Sequence, residues 1–395
     1  MGKGNTQAST FYVLSQRRVL NQVALWNHQL PNVKPFYAIK CNPEPYLLSW
    51  LAQYKSGFDC ASVREVNAVR KVAKESELIF ANPCKKRDEV IQSAVAGVSV
   101  TVIDSHEEID KLTEIGWTDN SLIRLRVEDK GSLMPFSAKF GLELDKVKSL
   151  SEYAKQKGQN ITGLSFHVGS GCNDPEQYRK ALHDVKYALG ILKDSGHTPQ
   201  TVDIGGGFMS KGFDQTAEVI RDMQKKFEPQ IRFLAEPGRF FAATCQDLFV
   251  RVIGKKPTGD GRPGWRYTLD ESLYGQFSCI PFDHAKPKWI RVREKGEERR
   301  KTTPALLYGR TCDSVDFIAA AKEAEELMEG DWLWFPYMGA YTTVTSTEFN
   351  GFPKPDTLMV NTDRPEQLPE LSEFSKEDLP RGLKYVSPVK VPELQ

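Results

Sequence analysis

The sequence predicts a (β/α)8 barrel followed by a second, antiparallel β domain. Three observations carry that expectation. The 395 residues exceed what one ordinary core needs. Up to about residue 236, short apolar runs alternate with amphipathic stretches of helical period. Beyond about residue 243 the helical period fades, and short strands separated by Gly, Pro and Asp take over.

Taken in order, residues 11–14 read as a strand contributed to the later β domain, and 16–30 as a helix. Eight runs then read as barrel strands: 36–40, 57–60, 78–81, 98–103, 122–127, 162–168, 201–204 and 233–236. The stretches between them carry helical period, as with Val66, Val69, Val72 and Ala73 on one face. Ser62 with Glu65, and Ser105 with Glu108, have the spacing of capping boxes. Eight strands alternating with eight helices is the pattern of a closed parallel barrel. Residues 248–253, 289–292, 305–308 and 332–336 read as strands of the β domain. The expected division is a barrel over 16–242, a β domain from 1–15 plus 243–360, and a flexible tail over 361–395, rich in Pro, Glu, Ser and Lys.

Bulk properties exclude several classes. With 53 basic and 52 acidic residues the net charge is +1, so no general electrostatic hold on nucleic acid or an anionic membrane is expected. No apolar run is long enough to span a bilayer, and the start of the chain lacks the apolar run of a signal peptide. The seven cysteines are scattered without CxxC spacing. That argues against a disulfide framework or a metal site, and for a reducing cytoplasm.

In a barrel, chemistry sits at the C-terminal ends of the strands. Lys40 closes the first strand; desolvation there would make its amine nucleophilic, although a plain surface lysine fits the same position. His167, among small residues after the sixth, suits stacking on a flat ring or proton transfer, and equally a satisfied core histidine. Gly205, Gly206 and Gly207 follow the seventh strand. They let backbone N–H groups converge on a phosphate, though three glycines alone more often make a turn. Ser170 and Arg239 add donors for an anion, and Glu236 a carboxylate for a protonated ring nitrogen. An amine, a ring-stacking histidine, a phosphate cradle and a carboxylate together suit pyridoxal phosphate.

These motifs resemble the ornithine decarboxylase family of fold-type III (alanine-racemase-like) pyridoxal-phosphate enzymes. The match includes Gly-Phe-Asp-Cys-Ala-Ser at 57–62, Ser165–Cys172, 203–208 and 235–240. In the β domain it includes 274–277, 283–285, 311–316, Gly339 to Tyr341 and 349–352. The resemblance implies that Lys40 links covalently to the cofactor, that His167 stacks on its ring, and that Glu236 meets its ring nitrogen. Asp59 and Arg126 would support the ring. Ser170, Gly205, Gly206, Gly207, Arg239 and Tyr341 would hold the phosphate. Cys312 would return a proton to the carbon that loses CO2, although a buried cysteine is often just a small hydrophobe. Asp283 and Asp316, with Phe349, would bind a basic amino acid through its distal cation. Homodimers with shared sites are implied, with Lys139 and Asp313 as a bridge between subunits, and also an antizyme-like regulator.

The stretch around Cys312 departs from the family pattern. Arg310 stands where the family usually has proline, and Ser314 where it has glycine. Arg310 is expected beside the carboxylates or in solvent, and Ser314 to reshape the loop for want of positive φ. Phe282 replaces a frequent tyrosine. L-Ornithine to putrescine is the leading expectation. L-Lysine and L-arginine are the alternatives within the class, and Asp283 favours the shorter ammonium substrates. A catalytically dead, antizyme-inhibitor-like binding homologue would not need the full cofactor set. A small homeostasis protein with only the barrel would lack the β domain.

Overall fold

The computed structural model describes residues 9–259, 261–293 and 297–360. The expected tail over 361–395 lies outside the described residues. One compact unit is Asn21–Ala242; the other joins the described residues before Asn21 to the described residues from Ala243 onward.

The first unit contains a closed barrel of eight parallel strands: Val33–Ala38, Gly57–Cys60, Leu78–Phe80, Val100–Ile103, Asn120–Arg124, Asn160–Ser165, Thr201–Asp203 and Arg232–Ala235. The last pairs with the first, so no edge remains. Phe36, Ile79, Val102, Leu122 and Leu234 fill the interior from five different strands. Because strand side chains alternate, the inward positions two residues further on are Ala38, Arg124 and Glu236. Several strands stop earlier than the sequence suggests. Lys40 lies on a short 3-10 turn, Ile39–Cys41, and His167 lies past Ser165.

Both capping serines accept from the backbone N–H three residues on, Ser62 from Glu65 and Ser105 from Glu108. The return bonds differ from a full box. Glu65 reaches the N–H of Ala61 at 2.6 Å. Glu108 turns inward instead, bridging buried Lys85 and Lys111. Phe240 and Phe241 pack on Trp26, anchoring the short helix Arg239–Ala242 at its place after the eighth strand.

The second unit is a curled sheet in which Gln246–Pro257 pairs with Phe11–Ser15, Trp265–Leu269 and Trp332–Phe335. The expected all-antiparallel pattern is corrected here. Trp265–Leu269 runs parallel to Thr302–Tyr308, and Phe11–Ser15 runs parallel to Asp356–Val360. Parallel pairing needs a long connection, which hydrophobic alternation alone does not reveal. Leu248, Val250, Val252, Tyr267, Leu307, Leu333 and Phe335 form its core.

Candidate active site

At the barrel mouth, Lys40 Nζ lies 3.0 Å from Asp59 Oδ2; the lysine side chain is 40% exposed and the aspartate 1%. The amine is therefore held by a charge pair and not by the desolvation expected at a strand end. Two more carboxyls join Asp59. Asp203 closes the seventh strand and accepts from the N–H of Gly205 at 2.9 Å. Its pKa is pushed up to about 6, chiefly by burial. Burial and the charges of Asp203 and Asp59 hold the Glu236 carboxyl well above its ordinary range, against the opposing pull of Lys40 and Arg124. Three carboxyls and two cations thus act on one another at the mouth, and burial of Asp203 and Glu236 favours a proton on that pair.

His167 is held neutral. Burial, then the positive charges of Arg124 and Lys40, push its pKa well below the ordinary value. The N–H of Gly169 donates to Nδ1 at 3.0 Å, which assigns the ring proton to Nε2. The Phe136 ring lies 4.9 Å away, centroid to centroid. Gly205 and Gly206 pack against this histidine. A Cβ on Gly206 would stand 2.7 Å from His167 Nε2. Gly207, at φ +103°, would bring one to 2.8 Å from the carbonyl of Gly169. Tyr178 donates its hydroxyl to the Gly206 carbonyl at 2.7 Å, fixing the loop. Arg239 Nη2 donates to Ser170 Oγ at 3.2 Å, so the loops after the sixth and eighth strands meet.

Arg126 needs correction. It is exposed and pairs with Glu143 at 2.7 Å. The guanidinium that acts on His167, Asp203 and Glu236 belongs to Arg124. The strand ends at Arg124, not at 127, so the inward alternation that includes Leu122 stops there. The resemblance put the supporting arginine at 126, whereas the guanidinium at the mouth stands two residues earlier, on the last residue of the strand. Asp203 carries a signal legible in the sequence, an acidic residue closing an apolar barrel strand.

In the second unit, Asp316 is 1% exposed and organises a loop. Oδ1 accepts from the N–H of Leu273 at 2.7 Å; Oδ2 accepts from the N–H and hydroxyl of Thr311 at 3.1 and 2.6 Å. Gly309 permits this close approach, since a Cβ there would lie 2.2 Å from both carboxylate oxygens. Cys312 is exposed, and its N–H donates to Asn350 Oδ1 at 3.1 Å. Tyr274 stacks on Phe349 at 4.4 Å and donates its hydroxyl to Asp313. Asp283 is buried at the end of the helix Cys279–Asp283, while Phe282 beside it is exposed. Tyr341 adopts φ +54°, a left-handed conformation uncommon for tyrosine. Of the two places expected for Arg310, beside the carboxylates or in solvent, it does not take solvent; its guanidinium turns inward and bonds Asp270 at 2.7 Å. Ser314 does not take positive φ, so the loop has no need of glycine there. Lys139 Nζ lies over the Phe140 ring at 4.8 Å.

Residues 16–243 match the family described as pyridoxal-dependent decarboxylase, pyridoxal binding domain, and the chain belongs to that family. It is a pyridoxal-phosphate enzyme, a carboxy-lyase. Among curated relatives, it is 35% identical over 373 residues to the ornithine decarboxylase of Caenorhabditis elegans, covering 90% of this chain and 88% of that one. Among solved structures, it is similar to the arginine decarboxylase of Paramecium bursaria Chlorella virus bound to agmatine. That match has 36% identity and a TM-score of 0.85, over 90% of this chain and 98% of that one. It is also similar to the lysine/ornithine decarboxylase of Vibrio vulnificus complexed with cadaverine. There the identity is 30% and the TM-score 0.82, over 90% and 95%. Among the described residues no helix is long and apolar enough to cross a membrane, and no group of His, Cys, Asp and Glu is placed to hold a metal ion.

Proposed function

We propose that the chain decarboxylates a basic L-amino acid, with L-ornithine giving putrescine as the substrate and product. The observation that carries this is the Lys40 amine, half-exposed at the barrel mouth and paired with Asp59 beside neutral His167 and the Asp203 and Glu236 carboxyls. Pyridoxal phosphate fits these residues. Lys40 supplies the amine for its aldehyde. His167 offers the flat face of a neutral ring, and Gly205, Gly206 and Gly207 admit no side chain where a phosphate would approach. Ser170 and Arg239 supply donors for the phosphate, joined by Tyr341 in this reading. When bound, this cofactor supplies an electron sink for the charge left behind by departing CO2.

The rest falls to the chain's own groups. Glu236, disposed to carry a proton, is the partner for the ring nitrogen. Asp59 fixes the Lys40 amine until substrate displaces it. Cys312 Sγ returns a proton to the carbon that lost CO2. Asp283 and Asp316 bind the distal ammonium. A carboxylate has about four acceptor sites, and Asp316 spends three on the loop, which leaves capacity for one substrate N–H. A head-to-tail homodimer with shared sites, a cytoplasmic location and an antizyme-like regulator belong to the same reading.

Similarity to an arginine decarboxylase favours a second reading, in which a guanidinium occupies the distal site. The short Asp283 carboxylate supports the ammonium substrates instead. CO2 release from ornithine, lysine, arginine and diaminobutyrate by the cofactor-loaded protein tests both. Preference for ornithine, strongly reduced in Asp316→Ala, is the expected result. Release from arginine alone would replace the ornithine reading, and release from none would overturn both.

A further inference from the structure

Arg310 is a departure from the family pattern that the activity above does not explain. Its side chain is only 14% exposed. Nη1 bonds Asp270 Oδ1 at 2.7 Å, and the guanidinium carbon lies 4.1 Å from the centroid of the Phe352 ring. Its own N–H donates to the carbonyl of Glu271 at 3.2 Å. Asp270 is itself fixed, accepting from the N–H of Thr10 at 3.2 Å. One side chain therefore joins three segments far apart in sequence: the 309–316 loop, the end of the strand Trp265–Leu269, and the residue after Phe349–Gly351.

The loop has two separate sets of anchors. The Asp316 carboxylate binds Leu273 and Thr311 without Arg310. Cys312, by contrast, is held through its N–H on Asn350, two residues from Phe352. Whatever holds Phe352 against the loop also holds the acceptor of the Cys312 N–H.

We propose that Arg310 is a positioning residue for Cys312, clamping the 309–316 loop to Asp270 and to the Phe352 ring so that the thiol stands at a fixed place. This rests on the reading of Cys312 as the proton donor. Guanidinium suits the task because it stacks flat on a ring while bonding a carboxylate in its own plane. The clamp serves a step after binding, since the substrate-facing Asp316 has its own anchors.

The test compares Arg310→Ala and Arg310→Lys with the unaltered holoenzyme, by steady-state kinetics and by hydrogen–deuterium exchange. Arg310→Ala is expected to lower kcat about ten- to a hundredfold, the scale of a misplaced catalytic group, with KM within about twofold. Arg310→Lys, which keeps the charge on Asp270, is expected to recover part of that loss. Exchange should rise at 310–313 and at 349–352, with the strands Thr302–Tyr308 and Phe317–Glu325 unchanged. A rise in KM with kcat intact, no change in either, or faster exchange throughout those strands would overturn the proposal. If the unaltered enzyme releases no CO2, the functional reading fails, whereas the exchange pattern still decides whether the clamp exists.

Discussion

The barrel mouth and the 309–316 loop both gather carboxylates, but by opposite means. At the mouth, each group comes from the end of a different strand: Lys40, Asp59, Arg124, His167, Asp203 and Glu236. The closed barrel sets their spacing, and burial sets their charge. In the loop, Asp316 and Asp313 are held by direct hydrogen bonds. The lesson is that one site is built by electrostatics in a rigid frame, the other by local bonds that must all be made. Substitutions at the mouth should therefore change charge state and chemistry. In the loop they should change placement.

The largest effect sharpens the first half of that contrast. Lys40→Ala removes the amine while leaving the frame, and CO2 release should fall by at least about a thousandfold, as when a catalytic unit loses a member. Loss of visible absorption by the purified protein checks the cofactor link independently. Retained activity would remove Lys40 from the chemistry.

Gly309→Ala tests the loop. The new Cβ would meet both Asp316 oxygens at 2.2 Å, so the carboxylate must leave its donors. A loss of about 1–3 kcal/mol of stability is expected from overpacking, together with weaker substrate binding. Denaturant unfolding and KM measure the two. An unchanged KM would show that Asp316 is not placed by this packing.

A pH effect separates the sites next. The carboxyl of Asp203 titrates at about 6 when folded, above its ordinary 3.8. Between these values the folded protein holds more protons than the unfolded chain, so stability falls as pH rises through that window and is level above it. Asp203→Asn removes this term while its amide oxygen can still accept from Gly205. The stability of the cofactor-free variant relative to the unaltered protein should therefore improve from pH 4 to pH 7, by up to about 3 kcal/mol. Parallel unfolding curves at both pH values would show that the mouth does not store charge in this way.

The smallest effect belongs to Tyr274→Phe. It deletes the hydroxyl bond to Asp313 but keeps the stack on Phe349. The bond is half-buried at the surface and one of several holding the loop, so only a slight fall in stability is expected, read as a small shift of the denaturant midpoint. A larger loss would mean that Asp313 anchors the loop as Asp316 does.

The residues of the mouth were legible because strand ends can be read from hydrophobic runs, and a barrel makes those ends converge. Several strands end earlier than their hydrophobic runs suggest, and the arginine that the resemblance put at 126 stands at 124. The loop was legible only by resemblance. No local pattern links Arg310 to Asp270 or Cys312 to Asn350, because those partners lie about forty residues away. By itself the sequence determined the eight-stranded barrel and put Lys40, His167, Glu236 and the three glycines at the ends of its strands, since periodicity and turn chemistry are local properties of the chain. Only the tertiary structure decided that Lys40 is paired rather than desolvated, that Arg124 is the guanidinium at the mouth, and that Arg310 turns inward. Each of those depends on which distant charge or ring comes within a few ångströms, and the long-range packing of the chain sets that.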